Sequence, residues 1–162
     1  MSDLIPPETL SRVGELLLDP VTVRIDERES QRYAQAVGDV NPIYFDEAAA
    51  HAAGHRTIVC PPTFISHAPV PARPLVEVRE DGLWRDSGGV RLSVKRMMFG
   101  GEEWDFLESV CVGDLITAET RLADVDEKSG SKGPFVRVVR ETTYINQLGE
   151  TVAKARQIGI AR

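Results

Sequence analysis

The second half of the chain limits its possible folds more than anything before it. From Val90 to Ile160 the sequence is rich in Val, Ile, Thr and aromatic residues placed at alternate positions, the pattern of half-buried strands. The spacing predicts strands over Val90–Phe99, Glu102–Val110, Leu115–Val125, Phe135–Ile145 and Thr151–Ile160. Only short turn formers separate them. Gly100-Gly101 is expected to break or bulge the pairing, Val112-Gly113-Asp114 to turn, Lys128 to Gly133 to form a flexible hairpin tip, and Asn146 to Gly149 to turn again. The last strand carries Ala153, Ala155, Gly159 and Ala161 on one face, and residues that small let a helix lie close to a sheet.

The first half reads differently. Pro6-Pro7-Glu8 followed by Leu10, Val13, Leu16 and Leu17 fits a short amphipathic helix with Pro in its first turn, ended by Asp19-Pro20. Val21 to Ile25 alternates and is β-branched, a first strand. Asp26, with Glu29 three residues on, has the spacing of a capping box, and Tyr33, Ala36 and Val37 share one face of the helix it opens. Asp46 caps a second helix, Glu47 to Ala53, closed by Gly54. A third helix beginning near Thr63 would turn Phe64, Ile65 and Ala68 inward, and Pro69, Pro71 and Pro74 limit it to about two turns. Leu75 to Gly89 has turn chemistry and no clear period. One strand, then helices, then a run of antiparallel strands is an α+β chain, and neither an internal repeat nor a domain linker is visible.

The chemistry concentrates in Gly38-Asp39-Val40-Asn41-Pro42. Gly38 can end a helix in the left-handed conformation, Asp39 and Asn41 can bond the local backbone, and Pro42 holds Asn41 out of the helical region. Such a loop presents a carboxylate and a carboxamide beside a helix end. The same residues are ordinary turn formers, so a solvated turn is the competing reading.

Composition excludes several classes. The 162 residues are 42% hydrophobic and 27% charged, enough for a sizeable core in a soluble chain. Nineteen Lys and Arg stand against 25 Asp and Glu, a formal charge of −6 without a basic run, which argues against nucleic acid as the main partner. Cys60 and Cys111 read as small buried apolar residues rather than a disulfide pair. Three His and two Cys show no ligand spacing, so no metal is expected. The stretch MSDLIPPETLS has no basic start or apolar region, and no apolar run reaches spanning length, so no secretory signal and no membrane are expected, with the cytoplasm as the default.

The run Tyr33-x-x-x-x-Gly38-Asp39-x-Asn41-Pro42-Ile43 resembles the signature of MaoC-like dehydratases, the (R)-specific enoyl-CoA hydratases of hot-dog fold. The chain is similar to the N-terminal MaoC-type domain through CPPTF at Cys60 to Phe64, FGGEEW at Phe99 to Trp104, VGD at Val112 to Asp114 and NQLGETVAKA at Asn146 to Ala155. The resemblance implies one hot-dog domain over residues 1–162, an antiparallel sheet wrapped around a central helix. It implies reversible addition of water to a 2-enoyl thioester of CoA or acyl carrier protein, without a further cofactor. It also implies a homodimer or heterodimer with a second hot-dog subunit, because a lone sheet leaves an edge that invites pairing and the family builds its site between two hot dogs.

Carried over by position, the resemblance assigns catalytic roles to Asp39, Asn41 and Tyr44. It assigns substrate contacts to Pro62, Thr63 and Phe64, and to Trp84, which could line an acyl pocket or pack on the sheet edge. Three positions depart from the family pattern. Tyr44 stands where the family has a His, and a phenol is a poor base at neutral pH. Pro61-Pro62 stand where a Gly usually offers a backbone N–H to the thioester carbonyl, a contribution of about 3–4 kcal/mol where it has been removed elsewhere. Thr63 offers the next N–H. Phe99 replaces a further frequent His. Among the three His present, His67 is the substitute base to watch. Three functions follow: a hydratase in its own right, an acyl-binding subunit whose partner does the chemistry, or a hot-dog thioesterase.

Overall fold

Strand β1 is Val21–Arg24, β2 Met97–Phe106, β3 Leu115–Gly130, β4 Gly133–Ile145 and β5 Thr151–Ala161. They form one antiparallel sheet in the order β1–β3–β4–β5–β2. Helices α1 (Pro7–Leu10), α2 (Glu27–Val37) and α3 (Glu47–Ala52) and three 3-10 turns, Pro42–Tyr44, Pro62–Ser66 and Leu75–Glu77, complete the elements among the described residues. The structure is a computed structural model that describes residues 4–70, 75–78, 80, 90–94 and 96–162. No described helix is long and apolar enough to cross a membrane.

Strand boundaries differ from the sequence reading around Gly100-Gly101 and at the β3–β4 hairpin. Two strands were expected on either side of Gly100-Gly101, yet Met97–Phe106 is one strand with a bulge. Pairing with β5 decides this: Phe99 faces Gly159, Gly101 faces Ile158, and the ladder resumes. A Cβ on Gly100 would sit 3.0 Å from Ile160 Cγ1 and 3.1 Å from Ile158 O, so the close approach there requires glycine. The stretch 90–94 is not strand. The hairpin tip is tighter than expected, since β3 and β4 run to Gly130 and Gly133 and leave Ser131-Lys132 to turn.

The helices follow local chemistry. Asp26 Oδ1 accepts from the Glu29 N–H (2.9 Å) and opens α2; Asp46 Oδ1 accepts from the Ala49 N–H (2.7 Å) and opens α3. Helix α2 buries Ser30 and Ala34, while Ala36 and Val37 lie exposed, so the expected Tyr33–Ala36–Val37 face is half solvated. Helix α1 is one turn, with Pro7 at its start; Leu10 and Val13 stay exposed, and Leu17 reaches the core through the loop that follows.

One face of the sheet is apolar at both ends. Near one end Ile116, Tyr144, Ala153 and Ala155 pack with Ile25, Phe64 and Ile65, with Trp104 and Tyr33 against them. At the other, Leu122, Val125, Val136, Val138 and Ala161 pack with Leu17 and Val90. The segment expected as a central helix is the 3-10 turn Pro62–Ser66. Pro61 and Pro62 provide no N–H, which suits a helix start but not its continuation. It still turns Phe64 and Ile65 inward, and Ala68 packs on the same cluster.

Candidate active site

Helix α2 ends at Gly38, whose φ of 74° is the left-handed conformation that the loop needs. The Asp39 N–H donates to Ala34 O (2.9 Å), which closes the helix. Asp39 Oδ1 then accepts from the Asn41 N–H (3.1 Å), and Asn41 Oδ1 accepts from the Ile43 N–H (3.3 Å). Both side chains of the motif thus shape the loop through which they are presented. Asn41 is exposed and Asp39 half-buried.

The 3-10 turn Pro42–Tyr44 carries Tyr44 into the interior, where it is 6% exposed beside Ala34, Val59 and Cys111. Burial raises its pKa above the usual tyrosine value, and the negative charge of Asp39, a hydrogen bond with the Asp39 side chain and nearby Cys60 add to the rise. At neutral pH the phenol keeps its proton beside the Asp39 side chain. It cannot serve there as the base that the family's His would be.

The opposite wall is the segment 59–67. Val59 N–H donates to Ile43 O (3.1 Å), which fixes this wall to the first, and Cys60 N–H donates to Val110 O (2.9 Å), which fixes it to the β2–β3 connection. Pro61 is buried, and Pro62 and Thr63 are exposed. Phe64 N–H already donates to Pro61 O (2.9 Å), so Thr63 carries the first-turn N–H with no acceptor inside the turn. Its hydroxyl meets the Tyr33 hydroxyl at 2.9 Å. The Tyr33 ring stands edge-on to Phe64 (5.6 Å) and tilted against exposed His67 (5.5 Å). Burial pushes the Cys60 thiol up to about 12, so this cysteine is an inert packing group.

The structure therefore brings Asp39 to Tyr44, and Thr63 to Tyr33 and His67. Phe64, expected to touch substrate, packs into the core at 7% exposure, and Trp84 lies outside the described residues. His51 bonds Arg56 O (3.0 Å) on the surface, away from both groups of residues in its contacts. The Tyr33–Thr63 pair was not foreseen, although both residues stand inside the two quoted motifs. A second unforeseen feature is Asp114, 4% exposed, which accepts from Arg56 Nη2, from Gln147 Nε2 (2.8 Å) and from the Cys111 N–H (2.8 Å). It ties the loop before Pro61 to two sheet turns. Among the described residues no three His, Cys, Asp or Glu side chains converge as a metal would require.

Residues 11–155 match the family described as FAS1-like, dehydratase domain region, and the chain belongs to that family. A UPF0336 protein of Leifsonia xyli subsp. xyli is 33% identical over 128 residues, covering 77% of this chain and 76% of the relative. A protein of Thermomonospora curvata named "Probable enoyl-CoA hydratase alpha subunit" is 27% identical over 149 residues, covering 85% of this chain and 44% of its own length. Among solved structures, a MaoC-like dehydratase superposes with a TM-score of 0.70 at 21% identity, over 94% of this chain and 43% of that one. A chain of the ChsH1–ChsH2 complex from Mycobacterium tuberculosis gives 0.68 at 22%, over 88% and 82%. The fold is the α+β hot dog of the MaoC type, as the sequence implied.

Proposed function

We propose that this chain is one subunit of a two-subunit enoyl thioester hydratase or 3-hydroxyacyl dehydratase, in which it binds acyl groups and completes the dimer while a second hot dog supplies the proton-transferring pair. One observation carries the reading: the phenol of Tyr44 lies buried under Asp39 with its proton held, in the place of a titrating His. Prolines at Pro61 and Pro62 add to it, because they remove two backbone donors from the wall that would polarise a thioester carbonyl. Relatives named as an alpha subunit and as a member of a two-protein complex agree with it.

The dimer itself has a candidate edge. Among the described residues strand β2 is the longer edge of the sheet, ten residues, with Met98 and Phe99 at 53% and 69% exposure. Pairing there would continue the sheet into a second hot dog.

A second reading keeps the chemistry on this chain: Asp39, half-buried and facing the loop surface, would act as base or water-holder, with Asn41 orienting and Thr63 N–H binding the carbonyl. The substrate in both readings is a 2-enoyl thioester of CoA or acyl carrier protein. The two separate in a complex reconstituted with a hot-dog subunit that has a carboxylate–His pair. Asp39→Asn in this chain leaves the turnover of that complex unchanged under the first reading. Loss of turnover on that change, with the complex intact by gel filtration, contradicts it.

A further inference from the structure

The inner face of the sheet has a polar row across its middle. Down β4 the inward residues are Tyr144, Thr142, Arg140, Val138 and Val136. Tyr144 belongs to one apolar cluster, Val138 and Val136 to the other, and Arg140 stands between. The same change occurs on both neighbouring strands. On β5, Ala155 lies in the first cluster and Ala161 in the second, with Gln157 between. On β2, Trp104 packs on the first and Met97 on the second, with Glu102 between. The register sets Glu102 opposite Gln157 and Gln157 opposite Arg140, so the three form one line from the free edge to the sheet's centre, about 10 Å across three strands.

Two observations place the heads of Glu102 and Arg140 on the inner side, and register sets the exposed Gln157 between them. The charge of Glu102 contributes to the rise of the buried Tyr144 phenol, which is on that face. Arg140 is largely desolvated, and its Nη2 lies 4.0 Å from Met97 Sδ, a member of the inner packing. Beside the row, Thr142 and Thr120 share a hydroxyl hydrogen bond of 2.9 Å, and Trp104 stacks between Phe106 and Tyr144 (5.3 and 5.5 Å). The aromatic stack ends about 7 Å before the row, one inward residue along the strand.

We propose that Glu102, Gln157 and Arg140 recognise an oxygen function, hydroxyl or keto, on the acyl group of the thioester, while Trp104 and its stack hold the hydrocarbon before it. This rests on the acyl-binding role proposed above. A plain alkyl chain laid across the row would press hydrocarbon onto the carboxylate of Glu102 and the amide of Gln157 in place of their water, which is unfavourable. A hydroxyl both accepts from Arg140 or Gln157 and donates to Glu102; a keto oxygen accepts alone. The guanidinium has five N–H donors, so it can serve a ligand alongside the contacts it already makes. One positive and one negative head offset each other, which favours a neutral oxygen over a carboxylate.

The experiment is calorimetric binding of two saturated acyl-CoA thioesters of equal length to the full chain, one plain and one with a mid-chain hydroxyl or keto group. The wild type is expected to prefer the oxygenated chain by about tenfold, the factor that about 1.4 kcal/mol of discrimination gives. Arg140→Met and Gln157→Leu should each erase the preference while still binding the plain thioester, and Gln157→Leu, at an exposed position, covers the case in which the arginine variant fails to fold. Equal affinity for the two chains in the wild type, or a preference retained in a folded variant, overturns the inference and leaves the acyl-binding role standing. No binding of either thioester overturns both.

Discussion

The two walls of the candidate site are held by different forces. The loop 38–44 is a chain of short side-chain-to-backbone bonds, Asp39 to the Asn41 N–H and Asn41 to the Ile43 N–H, around a left-handed glycine. The segment 61–67 has no side-chain cap and is held by what it buries, Phe64 at 7% and Ile65 at 1% exposure. The first wall spends its polar groups on its own shape. The second leaves an N–H, a hydroxyl pair and an imidazole at the surface. A family motif can therefore be intact in sequence while its carboxylate and carboxamide serve the backbone, and the polar groups left open to solvent lie on the second wall.

That contrast breaks most easily at Phe64. Phe64→Ala should cost about 3–5 kcal/mol of unfolding free energy, the range for truncating a buried aromatic, read from urea denaturation. A cost near 1 kcal/mol would mean that the second wall is not held by its core contacts. Alkaline pH probes both walls at once. Native Cys60 (about 12) and native Tyr44 both hold their protons more tightly than the unfolded chain does. Their stabilisation is fully present below the unfolded values, about 9 and 10, and is lost as pH rises toward the folded ones, by up to about 1.4 kcal/mol per pH unit for each group. Cys60→Ala should make the decline that begins near pH 9 shallower, leaving the share of buried Cys111, and Tyr44→Phe the decline that begins near pH 10, leaving the share of buried Tyr144; an unaltered slope in either variant contradicts the corresponding burial.

The first wall should yield smaller changes. Asn41→Ala removes the cap of the 3-10 turn at about 1 kcal/mol, far below the Phe64 effect, and parity between the two would erase the contrast. Gly38→Ala should lose about 1 kcal/mol from conformation alone, because no atom lies within 4 Å of the added Cβ. Asn at the same position, which tolerates the left-handed region, should recover most of it, as a thermal melt would show.

What the sequence disclosed follows the range of the interactions. Caps at Asp26 and Asp46, the left-handed end at Gly38 and the turns of the GDVNP loop involve residues two or three apart, and all were legible. The Tyr33–Thr63 hydroxyl pair spans 30 positions, and the Asp114 bond to Arg56 spans 58, so no local pattern announces them. Gly100-Gly101 was read as a break or bulge, and only the β5 partner decides between the two. The polar row on the inner face was hidden for the same reason: Glu102, Arg140 and Gln157 become neighbours through register alone.

The most direct measurement is hydration of a panel of 2-enoyl-CoA thioesters by the purified chain alone, followed by loss of the enoyl absorbance. With the Tyr44 proton held beneath Asp39, no turnover is expected from the chain by itself, and turnover is expected once a hot-dog subunit with a carboxylate–His pair is added. Robust turnover by the isolated chain that disappears in Asp39→Asn would contradict this and make the chain a complete hydratase.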